Sequence, residues 1–244
     1  SYDPMRLDNG RLSGSTSEDT ENWAKALRWA MALTAQALRL LPPVDDGYVR
    51  HDMEPSAAAL ALALGTHARK LWHLHLDCAL GPGGAHDAAR GHLPAAEWKD
   101  GRLTKAAHDA AAVAQHCLRW VVAGAEAARG TVDADVSRRA REELSVCLMS
   151  EAGVLWRGVG CAATLRPDHH ASADAALREI VNLLASEDDR HGWLSHLLLG
   201  KARRLLRDSP ETYLPPLAEA ATAAAAVSSR CEAQALHELA AAHA

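Results

Sequence analysis

The stretch Leu144 to Leu165, LSVCLMSEAGVLWRGVGCAATL, carries only two charges, Glu151 and Arg157. A helix this apolar on nearly every side has to be wrapped by other helices. Leu144, Cys147, Leu148, Val154, Leu155, Val159 and Ala162 share one broad face, while Val146, Met149, Gly153, Trp156 and Gly160 lie mostly on the other. The stretch is long enough to cross a membrane. Its central Glu and Arg fall on different faces, and the charged run Arg138, Arg139, Arg141, Glu142, Glu143 leads straight into it, which argues against a span.

Glu151 lies inside the first stripe. A buried lone carboxylate is costly, so it needs a partner or a raised pKa. Two readings follow: a structural hydrogen bond to a neighbouring helix, or a functional acid or ligand in a cavity.

The remaining sequence supplies the wrapping. Apolar periodicity predicts long helices over 18–41, 56–80, 104–129 and 134–165, with no stretch alternating as a strand does. Trp23, Leu27, Ala30, Thr34, Ala37 and Leu41 form the predicted core stripe of the first, widened by Trp29, Leu33 and Leu40. On the second, Leu60, Leu64, Leu71 and Leu74 mark the core side, and Arg69, Lys70, His73 and Asp77 mark the solvent side. Ala110, Val113, Cys117, Trp120, Val121 and Gly124 form the core face of the third, with His116 at its edge. The short link Gly130 to Asp133 forces the third and fourth helices antiparallel.

After Arg166-Pro167-Asp168, which is expected to end the long helix in a polar turn, the helices shorten. A stripe of Leu177, Ile180, Val181 and Leu184 is followed by one of Trp193, Leu194, Leu197, Leu198 and Leu205. Ser209-Pro210-Glu211 opens a segment that Pro215-Pro216 is expected to interrupt. Ser229 and Glu232 suit a capping box for the last helix. These paired short helices share the outline of a helical-hairpin repeat, but no 34-residue consensus recurs, so that family is not assigned. The fold class is therefore all-α: an antiparallel bundle of four long helices with shorter helices packed on it. Residues 1–17 are expected as a disordered tail and 18–244 as one domain, with a sub-boundary near 166–172.

Composition narrows the function classes. Arg far outnumbers Lys, Phe is absent and Ala abounds, a pattern that fits codon bias in a GC-rich bacterial genome. The net charge of −5 disfavours a nucleic-acid or anionic-membrane surface. No basic recognition helix is evident, so a transcriptional regulator ranks last. Five cysteines without a CxxC pair read as reduced, mostly buried thiols. Ser1 to Ser17 lacks the apolar core of a secretory leader, and a cytoplasmic location is expected.

The 14 histidines are the one compositional excess. His67, His75 and Cys78 fall on the core side of the second helix and are the candidate buried ligands, either as ordinary hydrogen-bonded core histidines or as ligands of haem or a single metal ion. No recognised metal or catalytic motif is complete: zincin, di-iron, Rossmann, kinase and serine-hydrolase signatures are all missing. Two functions follow. The first is a binding or interaction protein that holds a small apolar molecule or a partner helix. The second is an enzyme of specialised metabolism, with His75 or His67 as cofactor ligand, His116 as a second polar group and Glu151 as acid or base. Oligomeric state is left open, a dimer included.

Overall fold

The computed structural model describes residues 17–40, 55–80, 105–127, 132–156, 167–185 and 192–243. Eight helices make up these residues, and no strand occurs among them: α1 (Ser17–Leu40), α2 (Pro55–Leu80), α3 (Lys105–Ala127), α4 (Ala134–Trp156), α5 (Pro167–Leu184), α6 (Trp193–Leu205), α7 (Pro210–Ala225) and α8 (Ser229–His243). No described helix is long and apolar enough to cross a membrane.

Local chemistry sets the helix ends. Proline occupies the first position of α2, α5 and α7, where a missing N–H costs nothing and φ is already helical. Asp133 caps α4, its Oδ1 accepting the Asp135 N–H at 2.8 Å. Ser228 caps α8 by accepting the Cys231 N–H at 3.2 Å, one residue before the predicted cap. Pro167 starts α5 rather than a polar turn. Nor do Pro215 and Pro216 interrupt α7, which runs through both. Pro216 cannot donate to the Thr212 carbonyl; Arg203 of α6 donates to that carbonyl instead, at 2.9 Å.

Each helix packs on the next in antiparallel fashion, so contacts run in series from α1 to α8. A second set joins α2 to α4, α4 to α6 and α6 to α8. α1 packs chiefly on α2 and makes no comparable contact with α4. The arrangement is that of helical hairpins stacked in a row, in which each unit leans on its neighbours.

A sequence echo underlies this stacking. Leu62-Ala63-Leu64-Gly65-Thr66-His67-Ala68-Arg69 in α2 and Leu197-Leu198-Leu199-Gly200-Lys201-Ala202-Arg203-Arg204 in α6 share the pattern LxLGxxxR. The two glycines serve the same purpose. A Cβ on Gly65 would stand 2.7 Å from Leu118 of α3, and one on Gly200 would stand 2.6 Å from Leu217 of α7. Each glycine lets a hairpin close on a buried leucine. Each arginine four residues on reaches a buried glutamate of the next even-numbered helix, Glu143 or Glu238.

α4 is the enclosed helix. Every residue from Glu142 to Ser150 is buried, as are Ala152, Gly153 and Val154. The predicted wrapping holds over this part; Arg157 to Leu165 lie outside the described residues. The other predicted faces need correction. Arg69 and His73, assigned to solvent, are buried against α4. Trp23, Trp29, Leu33, Leu40 and Trp120, assigned to the core, are exposed. The buried face of α1 is instead built on Ala24 and Leu27, with Met31 packed at its edge. That of α3 runs through Ala107, Ala110, Ala114, Leu118 and Val121. In both, alanines and a few leucines permit close helix approach, and the tryptophans are turned out.

Candidate functional site

The four predicted site residues do not form one cluster of hydrogen-bonded groups. Glu151 is half-buried near the end of α4 and accepts a hydrogen bond from Gln115 Nε2 of α3 at 2.7 Å. Arg119 donates to Gln115 Oε1 at 3.0 Å and grips Glu179 of α5 with two bonds, at 2.7 and 2.9 Å. Glu151 is thus one end of a polar chain that ties α3, α4 and α5 together. The Glu179 carboxylate holds the Arg119 guanidinium above its ordinary pKa. His116 is exposed on α3.

His67 and His75 are half-buried on α2. His67 Nδ1 and His75 Nε2 are both shielded from solvent, with no hydrogen-bond partner among the described residues. Burial lowers both pKa values, reinforced by the charge of Lys70 at His67 and of Arg28 at His75. Cys78 lies outside the residues whose side chains are described. Among the described residues, no group of three or more His, Cys, Asp or Glu side chains could hold a metal ion.

These shifts give a pH dependence with a defined sign. The folded chain holds both imidazoles neutral, while the unfolded chain titrates near the ordinary value of 6.5. Below that value the unfolded state binds more protons, so the contribution of these groups is complete at alkaline pH and is lost as pH falls through 6.5. Urea midpoints of the full chain should drop between pH 8 and pH 5.5. The drop should shrink in the His67→Leu/His75→Leu variant; an unchanged drop contradicts the assignment.

Sequence reasoning missed the buried polar cluster between α2 and α4. Arg69 is 1% exposed and ion-paired through Nε with Glu143, which is itself 3% exposed. Arg69 Nη1 also lies 3.3 Å from His73 Nδ1, and His73 Nε2 lies 3.1 Å from Ser150 Oγ. A guanidinium can only donate, so Nδ1 accepts and Nε2 carries the hydrogen. His73 then donates to Ser150 and does not take its proton. The Ser–His contact has the wrong polarity for a nucleophile, which leaves the cluster as a tie between helices. Burial also pushes the Cys147 thiol far up, away from the reactive thiolate.

Similar ties recur along the row. Glu142 of α4 accepts from Ser195 Oγ of α6 at 2.8 Å. Glu238 of α8 receives Lys201 Nζ at 3.0 Å and Arg204 Nη2 at 3.1 Å, both from α6. The signal that could have found two of these ties is the LxLGxxxR echo, which marks Arg69 and Arg204 as equivalent.

The remaining candidate is the outer face of α1. Its apolar side chains Trp29, Leu33 and Leu40 are 70%, 60% and 77% exposed. Their spacing sets them in one stripe, on the side of the helix away from Ala24 and Leu27. Trp23, also exposed, extends the apolar surface toward the N-terminal end. At the other end of the row, α8 shows only Leu236 as a large exposed apolar side chain. Among the described residues, then, α8 shows few large apolar side chains to solvent and α1 shows several.

No protein-family model matches the chain, and no characterised protein or solved structure matches it.

Proposed function

We propose that the chain is an interaction protein whose α1 receives a helix on its outer face. One observation carries the reading: the exposed stripe Trp29, Leu33, Leu40 on the first helix of the row. Among the described residues each inner helix has neighbours on two sides, and α1 packs chiefly on α2. Terminal units of stacked arrays need a polar outer face to stand alone, and an apolar one invites another helix. The stripe lies on a convex helix surface, which suits a helix better than a small molecule; small ligands are held in concave pockets.

The test uses the full chain and a labelled amphipathic peptide with leucines at i, i+4 and i+11. Leu33→Glu should weaken peptide binding more than tenfold while changing folding stability by no more than about 0.5 kcal/mol, because position 33 is a surface site. Equal binding by wild type and Leu33→Glu contradicts the reading.

A second reading, a histidine-based cofactor site, is favoured by the two shielded imidazole nitrogens of His67 and His75. Reconstitution with haem followed by Soret absorbance tests it, and loss of that absorbance in His75→Ala would support it.

A further inference from the structure

We infer that the helix received by α1 is α1 of a second copy, laid antiparallel with Trp29 of each chain against Leu33 of the other. This rests on the reading of α1 as a docking face and names its occupant. The exposed stripe is self-complementary. Turning α1 end for end about the level of Met31 brings Trp29 level with Leu33, and brings Trp23 within one residue of the level of Leu40. Each tryptophan of one copy then meets a leucine of the other. These four are the large exposed apolar side chains of α1, and one register covers them all. A two-fold pair that uses the same patch on both chains is the commonest form of association. Ala24 and Leu27 face the opposite way, so the bodies of the two chains lie on opposite sides of the helix pair.

The charges agree with the same register. One edge of the stripe carries Glu18, Glu21, Lys25, Arg28 and Arg39 in that order, acids first and bases after. An antiparallel pair sets like edges together with their order reversed. Arg39 of one copy comes level between Glu21 and Lys25 of the other, which bridge each other at 2.9 Å, with Glu18 one turn further along that edge. The acidic end of each helix thus faces the basic end of its counterpart. Lys25 and Arg28 come level with Ala37 and Thr34, which carry no charge. Asp19 stands on the other edge, past the level of Leu40 of the second copy. A parallel pair instead sets the two acidic first turns side by side, like charge on like. A single pair of helices buries less than the roughly 800 Å² per partner of a stable interface, so a dimer with Kd on the order of micromolar is expected.

Sedimentation equilibrium of the full chain tests the pairing. Wild type should pass between monomer and dimer and no further, because a two-fold contact closes on itself. Leu33→Glu should raise the dimer Kd more than tenfold. Arg39→Glu should raise it several-fold, since its contact occurs twice, and Glu21→Arg/Arg39→Glu should return it most of the way. Oxidation reads the register: an equal mixture of Trp29→Cys and Leu33→Cys chains should form the mixed disulfide in preference to either symmetrical one, as mapped by mass spectrometry. A wild-type chain that stays monomeric yet binds the leucine peptide through Leu33 overturns the inference and leaves helix docking standing. A monomer that binds no peptide overturns both. A dimer indifferent to Leu33→Glu uses another surface and overturns the inference. A symmetrical Leu33→Cys disulfide in preference to the mixed one marks a parallel pair and overturns it as well. So does partition onto phosphatidylcholine–phosphatidylserine vesicles in place of self-association.

Discussion

Glu238→Ala should remove about 3–5 kcal/mol of folding stability, the cost of breaking a buried ion pair by deleting one partner. Glu238 is 2% exposed and is the carboxylate shared by Lys201 and Arg204. Without it, two cations on α6 lose the counter-charge that α8 supplies to both, and Lys201 is nearly as deeply buried as that carboxylate. Arg204 also donates to the Ala241 carbonyl at 3.1 Å, so the same group that loses its counter-charge holds the last turn of α8. Urea denaturation measures the loss. Limited proteolysis should show α8 cleaved first, since the lost tie is the one that holds α8 to α6. Lys201→Met combined with Glu238→Leu should recover most of the stability, because a buried pair replaced by apolar groups of similar volume costs little. A loss below about 1 kcal/mol in Glu238→Ala, the range of exposed pairs, would contradict the buried-tie account.

Glu143→Ala should cost a similar amount, about 3–5 kcal/mol, and its effect should be spread more widely. Arg69 is then left charged and buried between α2 and α4, beside His73 and Ser150. Both helices also pack on α3, so loosening their contact disturbs the middle of the row. Adding Arg69→Met should restore much of the loss, and the double-mutant cycle should show strong coupling between the two positions. Additive effects would show that the two side chains act separately.

How far the residues declared this arrangement differs from segment to segment. The apolar run at Leu144–Val154 was legible because it leaves no polar side, and burial follows whatever the neighbours are. The starts of α2 near Pro55 and of α4 after Asp133 were legible, whereas Pro167, also at a first helical position, read as a turn. The faces of α1 and α2 were not legible. α2 is hemmed in by three helices, so its Arg69 side lies against α4 although the residues there are polar; burial is then permitted by a partner, Glu143, that is 74 positions away. On α1 the reading failed the other way. Tryptophan and leucine default to the inward side, yet among the described residues α1 packs chiefly on α2 through Ala24 and Leu27, and its second apolar stripe faces outward. Pro215-Pro216 misled for a local reason: the carbonyl that Pro216 leaves without its helical donor is supplied by Arg203 of another helix, which no local pattern reveals. Of the candidate site residues, Glu151 was correctly expected to have a partner on a neighbouring helix, Gln115. His67 and His75 were placed near the core by their spacing, and the shielding of one ring nitrogen on each agrees with that placement.

Amide hydrogen exchange of the full chain, resolved by mass spectrometry, tests most directly whether α4 is the enclosed helix and α1 an exposed one. Peptides covering Leu144–Val154 should exchange slowest, at the rate set by global unfolding, and peptides from α1 should exchange well before them. Exchange in Leu144–Val154 as fast as in α1 would contradict the account.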